Sequence, residues 1–167
     1  NNAQNVVEEK HYQPPVKSIT WHHIGVVFSK KLLTDAYEVE YYKNEHLQEH
    51  QLPPSDVPTD LSNQEWYEAL RACKSLALRQ EVYAEDGSEK SIHPYSTAQT
   101  AYDIVRVQPQ GENKYASFFI VSKASLSYSY DRNPADPRIG HSIVLETDEK
   151  GMVKKSASIV YPRKNRP

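Results

Sequence analysis

The chain has 167 residues with 20 basic and 22 acidic side chains, a net charge of −2, and a length that fits one domain with a modest core. Apolar residues make up 38% and mean hydropathy is −0.77, which is polar for a self-sufficient globule, and the aromatics are dominated by 12 tyrosines. The interspersed charge excludes a basic nucleic-acid or membrane-surface face, and the single cysteine, Cys73, excludes an internal disulfide and a Cys-based zinc site. No apolar run approaches the ~20 residues of a bilayer span, so direct membrane insertion is not expected.

No signal peptide is visible, and the only methionine is Met152. With its opening Asn1-Asn2-Ala3-Gln4-Asn5, the chain reads as a piece excised from a longer protein. Residues 1–16 are expected to form an irregular lead-in closed by Pro14-Pro15, 17–163 a single β-rich domain, and 164–167 a tail. Ile19 to Ser29 has strand character, with Trp21, His23 and Val27 on one face and Ile24, Val26 and Phe28 on the other. A second aromatic strand is expected from Tyr37 to Tyr42. Residues 43–61, punctuated by Pro53-Pro54 and Pro58, read as a loop.

Ser62 and Glu65 have capping-box spacing, and Trp66, Ala69, Leu70 and Cys73 fall at i, i+3, i+4 and i+7. That predicts one helix near 62–75. Afterwards the period becomes two. Leu78 to Ala84, Tyr102 to Val107, Tyr115 to Ser122, Ser125 to Asp131, Ile139 to Glu146 and Val153 to Tyr161 read as strands, and Asp86-Gly87 marks a tight turn. Short turns between such strands imply a mainly β fold of antiparallel hairpins. Tyrosine, with an apolar body and a wet tip, suits sheet faces that are only half covered.

Several residue patterns invite chemistry. His46-Leu47-Gln48-Glu49-His50 has the H-x-x-E-H spacing of inverted zinc peptidases, but Pro53-Pro54 leaves no room for a long helix, so a solvated polar stretch is expected. His22 and His23 are strand neighbours pointing to opposite faces, so they cannot share a metal. No nucleophile elbow, phosphate-binding loop or dinucleotide fingerprint occurs, and Cys73 reads as core filling. No catalytic, cofactor-binding or metal residue is assigned.

One segment remains. Between Ser127 and His141, an alternating Tyr-Ser strand is interrupted by Asn133-Pro134 and Asp136-Pro137, then resumes. Asx side chains bond nearby backbone and proline fixes φ, so each pair starts a turn. Arg132 and Arg138 flank Asp136 closely enough to brace it by charge-assisted hydrogen bonds. Arg132, Asn133, Pro134, Asp136, Pro137 and Arg138 are therefore expected to form a rigid structural corner.

Tyr130-Asp131-Arg132-Asn133-Pro134-Ala135-Asp136-Pro137-Arg138-Ile139 resembles a segment of the B component of bacterial insecticidal toxin complexes (Tc toxins). Leu78 to Ala84 with Asp86-Gly87, His93-Pro94-Tyr95-Ser96, Gln108-Pro109 with Gly111, and Lys155-Ser156-Ala157 are similar to further stretches of that family. Trp21, His23 and Gly25, then Glu40-Tyr41-Tyr42, follow the same order, so the resemblance spans roughly residues 17–163.

It implies a curved, extended sheet from the middle region between a β-propeller and Rhs-like shell repeats. It also implies a non-catalytic, secreted segment of a hollow β-shell that encloses and delivers the cytotoxic C-component cargo. The implied partners are the rest of the B component and the C component, with the A-component channel reached through the propeller. No cofactor and no nucleic acid are implied. The competing expectation is a stand-alone β-sheet module binding carbohydrate or a receptor.

Overall fold

A computed structural model describes residues 14–25, 37–45, 50–149 and 151–163. The elements are β1 (Val16–His22), α1 (Asn63–Ala72), β2 (Ala77–Ala84), β3 (Ser96–Gln108), β4 (Ser117–Ser129), β5 (Arg138–Thr147) and β6 (Val153–Val160). They form one six-stranded sheet in the order β1-β2-β3-β4-β5-β6, with each neighbouring pair antiparallel. The expected mainly β, hairpin-built class is what folds.

The helix starts where the capping box places it. The Ser62 hydroxyl accepts from the Glu65 N–H at 3.2 Å, and the Glu65 carboxylate accepts from the Ser62 N–H at 3.0 Å. Ala69, Leu70 and Cys73 are buried, as the spacing predicts. Glu65 and Glu68 are buried as well.

Three expectations change. Residues 37–40 make a turn, not a strand, with the Glu40 N–H bonded to the Tyr37 carbonyl at 2.9 Å. Tyr42 explains the difference. Its N–H donates to Glu81 at 2.9 Å and its carbonyl accepts from Arg79 at 3.0 Å, so side chains occupy groups that a ladder would need. Next, the two strands expected at 115–122 and 125–131 are a single β4. Its register moves from Ala101↔Ala124 to Tyr102↔Ser122, a bulge that leaves Lys123 as the extra residue. Finally, β1 already begins at Val16, inside the expected lead-in. Positions 23–25 of the expected strand leave the ladder, with Gly25 at φ +74°, and positions 26–29 lie outside the described residues.

The bulge sends even-numbered β4 residues to opposite faces on either side of it. Leu126 and Tyr128 pack with Tyr130 and Ile139 on one face, joined by Tyr42, Leu52 and Tyr161. Phe118 and Ile120 pack on the other, where Ile104 meets Ala69 of α1 and its C-cap Cys73, joined by Val57 and Leu61. Residues 50–61 connect the two cores. Beyond the short β2–β3 ladder no described strand pairs the edge of β3, and the Ile104 N–H donates instead to the Asp56 carbonyl at 2.8 Å. Leu52 thus lies on one side and Val57 and Leu61 on the other. Lys123, displaced by the bulge, ties this crossing down through Asp56 at 2.7 Å and Asp103 at 3.1 Å.

Between β5 and β6, the Asp148 carboxylate accepts from the Met152 N–H at 2.8 Å, and Gly151 has φ +77°. That positive φ favours glycine, and a Cβ there would also fall 1.9 Å from the Phe119 ring and displace it.

Candidate functional site: a braced corner and its buried charges

The Asx-Pro corner leaves β4 through Asp131 and Arg132, which adopt φ values of 50° and 64°. Non-glycine residues rarely occupy this left-handed region, so surrounding bonds must hold it. The Tyr95 carbonyl accepts from the N–H groups of Tyr130 and Asp131 at 2.8 and 3.0 Å, and the Asn133 N–H returns to the Tyr130 carbonyl at 2.8 Å. Asn133 then makes the expected Asx turn, its side chain accepting from the Ala135 N–H at 3.2 Å. From across the fold, the Asn44 amide donates to the Pro134 carbonyl at 2.7 Å.

The bracing of Asp136 differs from expectation. Arg138 pairs with Asp131 at 2.5 Å on the surface. Arg132 reaches Asp86 at 2.7 Å, also bonds Ser88, and lies over the Tyr95 ring at 5.6 Å. Asp136 is held by Arg163, whose Nε is 3.2 Å from its carboxylate and whose Nη2 is 3.2 Å from its carbonyl. Arg163 follows β6, so the corner is clamped to the far end of the sheet. The corner's own arginines are spent tying it to the β2–β3 connection and to Asp131. Backbone and Ser88 hydrogen bonds, then Arg132, hold the Asp86 carboxyl below the usual carboxylate range.

A second cluster was not picked out by sequence reasoning. Arg79 and Glu81 lie two residues apart on one face of β2, and their side chains are only 5% and 1% exposed, with Nε 2.6 Å from Oε1. Both charges are fully engaged. Glu81 also accepts from the Tyr42 N–H and, at 2.6 Å, from the Tyr83 hydroxyl. Arg79 also donates to the Tyr42 carbonyl and stacks 4.8 Å above the Tyr41 ring. Trp21 meets Tyr41 edge-on at 5.1 Å and donates to Glu40 at 2.8 Å. Burial raises the Tyr41 phenol to about 12, so it stays neutral. The available signal was Arg-x-Glu inside a strand, with both charges forced to the same side by the period of two.

A third arrangement joins α1 to the β3–β4 hairpin. Glu65 accepts from the Gln110 N–H at 3.0 Å, and Glu68 from the Ala116 N–H at 2.6 Å. Two carboxylates on one helix face thus hold both ends of the hairpin loop, and Arg106 adds Asp60 at 2.5 Å. The backbone donors Ser62 and Gln110 hold the Glu65 carboxyl below its ordinary value.

Among the described residues, Cys73 and His23 are placed unfavourably for nucleophilic catalysis. His23 and Cys73 line one small cavity of about 10 Å³, room for a single water. Burial pushes the Cys73 thiol up to about 11 and lowers His23, whose Nδ1 is occupied by the Gly25 N–H at 3.0 Å. A neutral thiol beside a neutral imidazole is not an activated nucleophile. His22, the last residue of β1, is exposed and contacts the Ser75 carbonyl, whereas His23, just past the strand, is buried. Residues 46–49 of the H-x-x-E-H pattern lie outside the described residues. His50 stacks on Tyr161 at 3.9 Å, on the side where Tyr161 bonds His141. No group of three or more His, Cys, Asp or Glu suited to a metal occurs among the described residues.

Comparison with known proteins gives these features a context. Residues 68–167 match the family described as insecticide toxin TcdB middle/C-terminal region. The crystal structure of TcdB2-TccC3 superposes with a TM-score of 0.75 at 25% identity, over 92% of this chain and 8% of that one. The structure of TcdB2-TccC3-Cdc42 gives 0.75 at 26% identity, over 92% and 7%. The Photorhabdus luminescens Tc holotoxin pore shares the fold, with a TM-score of 0.73 at 24% identity, over 94% and 7%. None of the curated proteins matches by sequence. The chain therefore spans less than a tenth of the solved chains it resembles. With the family matched over more than half its length, through the corner, β5 and β6, the chain belongs to the insecticide toxin TcdB middle/C-terminal region family.

Proposed function

We propose that this chain is a non-catalytic wall segment of a toxin-complex B component, part of a hollow β-shell that encloses and delivers the cytotoxic C-component cargo. The carrying observation is the open sheet. Its outer strands β1 and β6 each leave one side unpaired by any described strand, in a chain covering 8% of a related TcdB2-TccC3 chain. An unpaired edge is a template for a further strand, and a wall is built by filling such edges. The ionic clusters support the same reading. Each joins distant parts of the fold, and the one Cys–His neighbourhood is chemically quiet. In this reading the molecule acts outside the producing bacterium, its partners are the rest of B and the C component, and the A-component channel is met through other parts of B.

The test uses the full B–C complex with Ala157→Pro and Ser158→Pro on β6. Neighbouring N–H groups of a strand point to opposite sides, so the two single prolines are compared. The one that removes an outward donor weakens pairing at the outer edge while leaving the β5–β6 bonds in place. With it, the complex should fail to close and its C-component cargo should become protease-sensitive, while released cargo keeps its intrinsic activity. A normal yield of closed, protease-resistant complex would overturn the wall reading.

A further inference from the structure

One sheet face has a composition unlike the rest of the molecule. Below α1, on the side opposite the Tyr128–Tyr130 core, β4 presents Ser125, Ser127 and Ser129. Their cross-strand partners include Thr100 and Ser96 on β3 and Ser142 on β5. Farther out, Ser158 stands opposite Ser142, and at the other end Ser18 accepts from Gln80 at 3.2 Å. The remaining positions are small, aliphatic or uncharged polar: Ala98, Gly140, Val82, Val144 and Val160, with Thr20, Gln80 and Ser156. Charge enters at its margin, where Arg138 stands opposite Ser129 and is paired with Asp131. Yet a quarter of the chain is charged.

This face is unsuited to dry packing. Burying a hydroxyl costs free energy unless it finds a partner, and these short side chains bring almost no apolar area in return. It is equally unsuited to binding. Protein interfaces are anchored by Tyr, Trp and Arg, and charge steers encounters, and here the arginine is Arg138 at the margin, already neutralised by Asp131. Ordinary solvent-facing surfaces carry interspersed charges. A face that is wet, neutral and without a free anchor neither attracts nor holds a polypeptide beside it.

We propose that this hydroxyl face is the lumenal side of the wall, a low-adhesion lining turned toward the enclosed polypeptide of the C component. The inference rests on the wall reading and adds which of the two faces points inward and why.

Cysteine substitutions in the full B–C complex test it, with labelling read at each position by peptide mass. Ser127→Cys and Ser142→Cys should lose labelling by a bulky polyethylene-glycol maleimide in the closed complex and regain it on denaturation. Exposed Lys43→Cys and Gln51→Cys, on the opposite side, should be labelled throughout. Iodoacetamide, small enough to diffuse in, should still reach Ser127→Cys, because the face is wet.

Labelling of the hydroxyl face with protection of Lys43→Cys would place that face outside, overturning this inference and leaving the wall intact. Labelling of all four positions would mean no closed compartment, and both readings would fall. Exclusion of iodoacetamide would show a dry, packed face and overturn the proposal alone. The lining role has its own measurement: Ser127→Phe with Ser142→Phe should lower the fraction of cargo released from opened complexes. Unchanged release would overturn the low-adhesion role.

Discussion

Arg79 and Glu81 retain their charges in the interior because each is supplied with partners on several sides. The guanidinium has a carboxylate, a backbone carbonyl and an aromatic ring, and the carboxylate has a guanidinium, a backbone N–H and a phenol. Such a pair contributes little against a well-packed apolar substitute, whereas breaking it strands a buried charge. Glu81→Ala should therefore lower stability by ~3–5 kcal/mol, while Arg79→Met with Glu81→Leu should cost far less. Urea unfolding of the two variants measures the difference, and equal losses would refute this account. Asp136 differs because its partner Arg163 is 46% exposed and can return to water when the carboxylate is removed. Asp136→Ala should cost about 1–2 kcal/mol, between the values for an exposed ion pair and a buried charged hydrogen bond. Arg163→Ala should cost a similar amount, whereas Arg138→Ala, which loses only a surface pair, should be nearly silent.

At the scale of elements, α1 is fixed at its first turn by two devices that share Glu65. The capping box orders the helix start, and the same carboxylate holds the Gln110 N–H of the β3–β4 hairpin. Ser62→Ala should cost ~1 kcal/mol through the lost cap. Because the Glu65 carboxyl titrates below its ordinary 4.5 in the fold, the unfolded chain takes up its proton first as pH falls. Its contribution is complete above that ordinary value and is lost below it, as pH drops through the folded-state value. Denaturation midpoints should fall with acidification in the parent chain, and less so in Glu65→Gln. A parallel pH dependence in the two proteins would contradict the assignment.

For the whole molecule, the two sheet edges that no described strand pairs dominate. Val153 and Val160 on β6 and Val16 on β1 are more than half exposed, so these edges combine free backbone groups with apolar side chains. The isolated chain should associate through them. Light scattering coupled to gel filtration should show concentration-dependent oligomers, which the β6 proline that removes an outward donor should reduce. A dilute, high-melting monomer would count against an origin in a larger sheet. The two cores argue the same way, since each face of the sheet is covered over only part of its extent. α1 and Val57 to Leu61 cover one part, and Tyr42, Leu52 and Tyr161 cover the other.

The sequence by itself determined the β class, most of the strands, the start of α1 and the Asx turn at Asn133. All of these depend on signals acting over a few residues: a period of two, a cap three residues from its partner, a side chain bonding its own backbone. It also carried the family resemblance, through literal strings that need no folding to be read. Only the tertiary structure decided which charges meet. Asp136 finds Arg163 at a separation of 27 residues and Asn44 finds Pro134 at 90, distances over which sheet register and not local pattern selects the partner. The same holds for Tyr37–Glu40, where a strand-like composition gave way because Arg79 and Glu81 captured the backbone of Tyr42. The bulge at Lys123 was equally out of reach, since one extra residue leaves composition unchanged while redirecting every side chain beyond it to the other face.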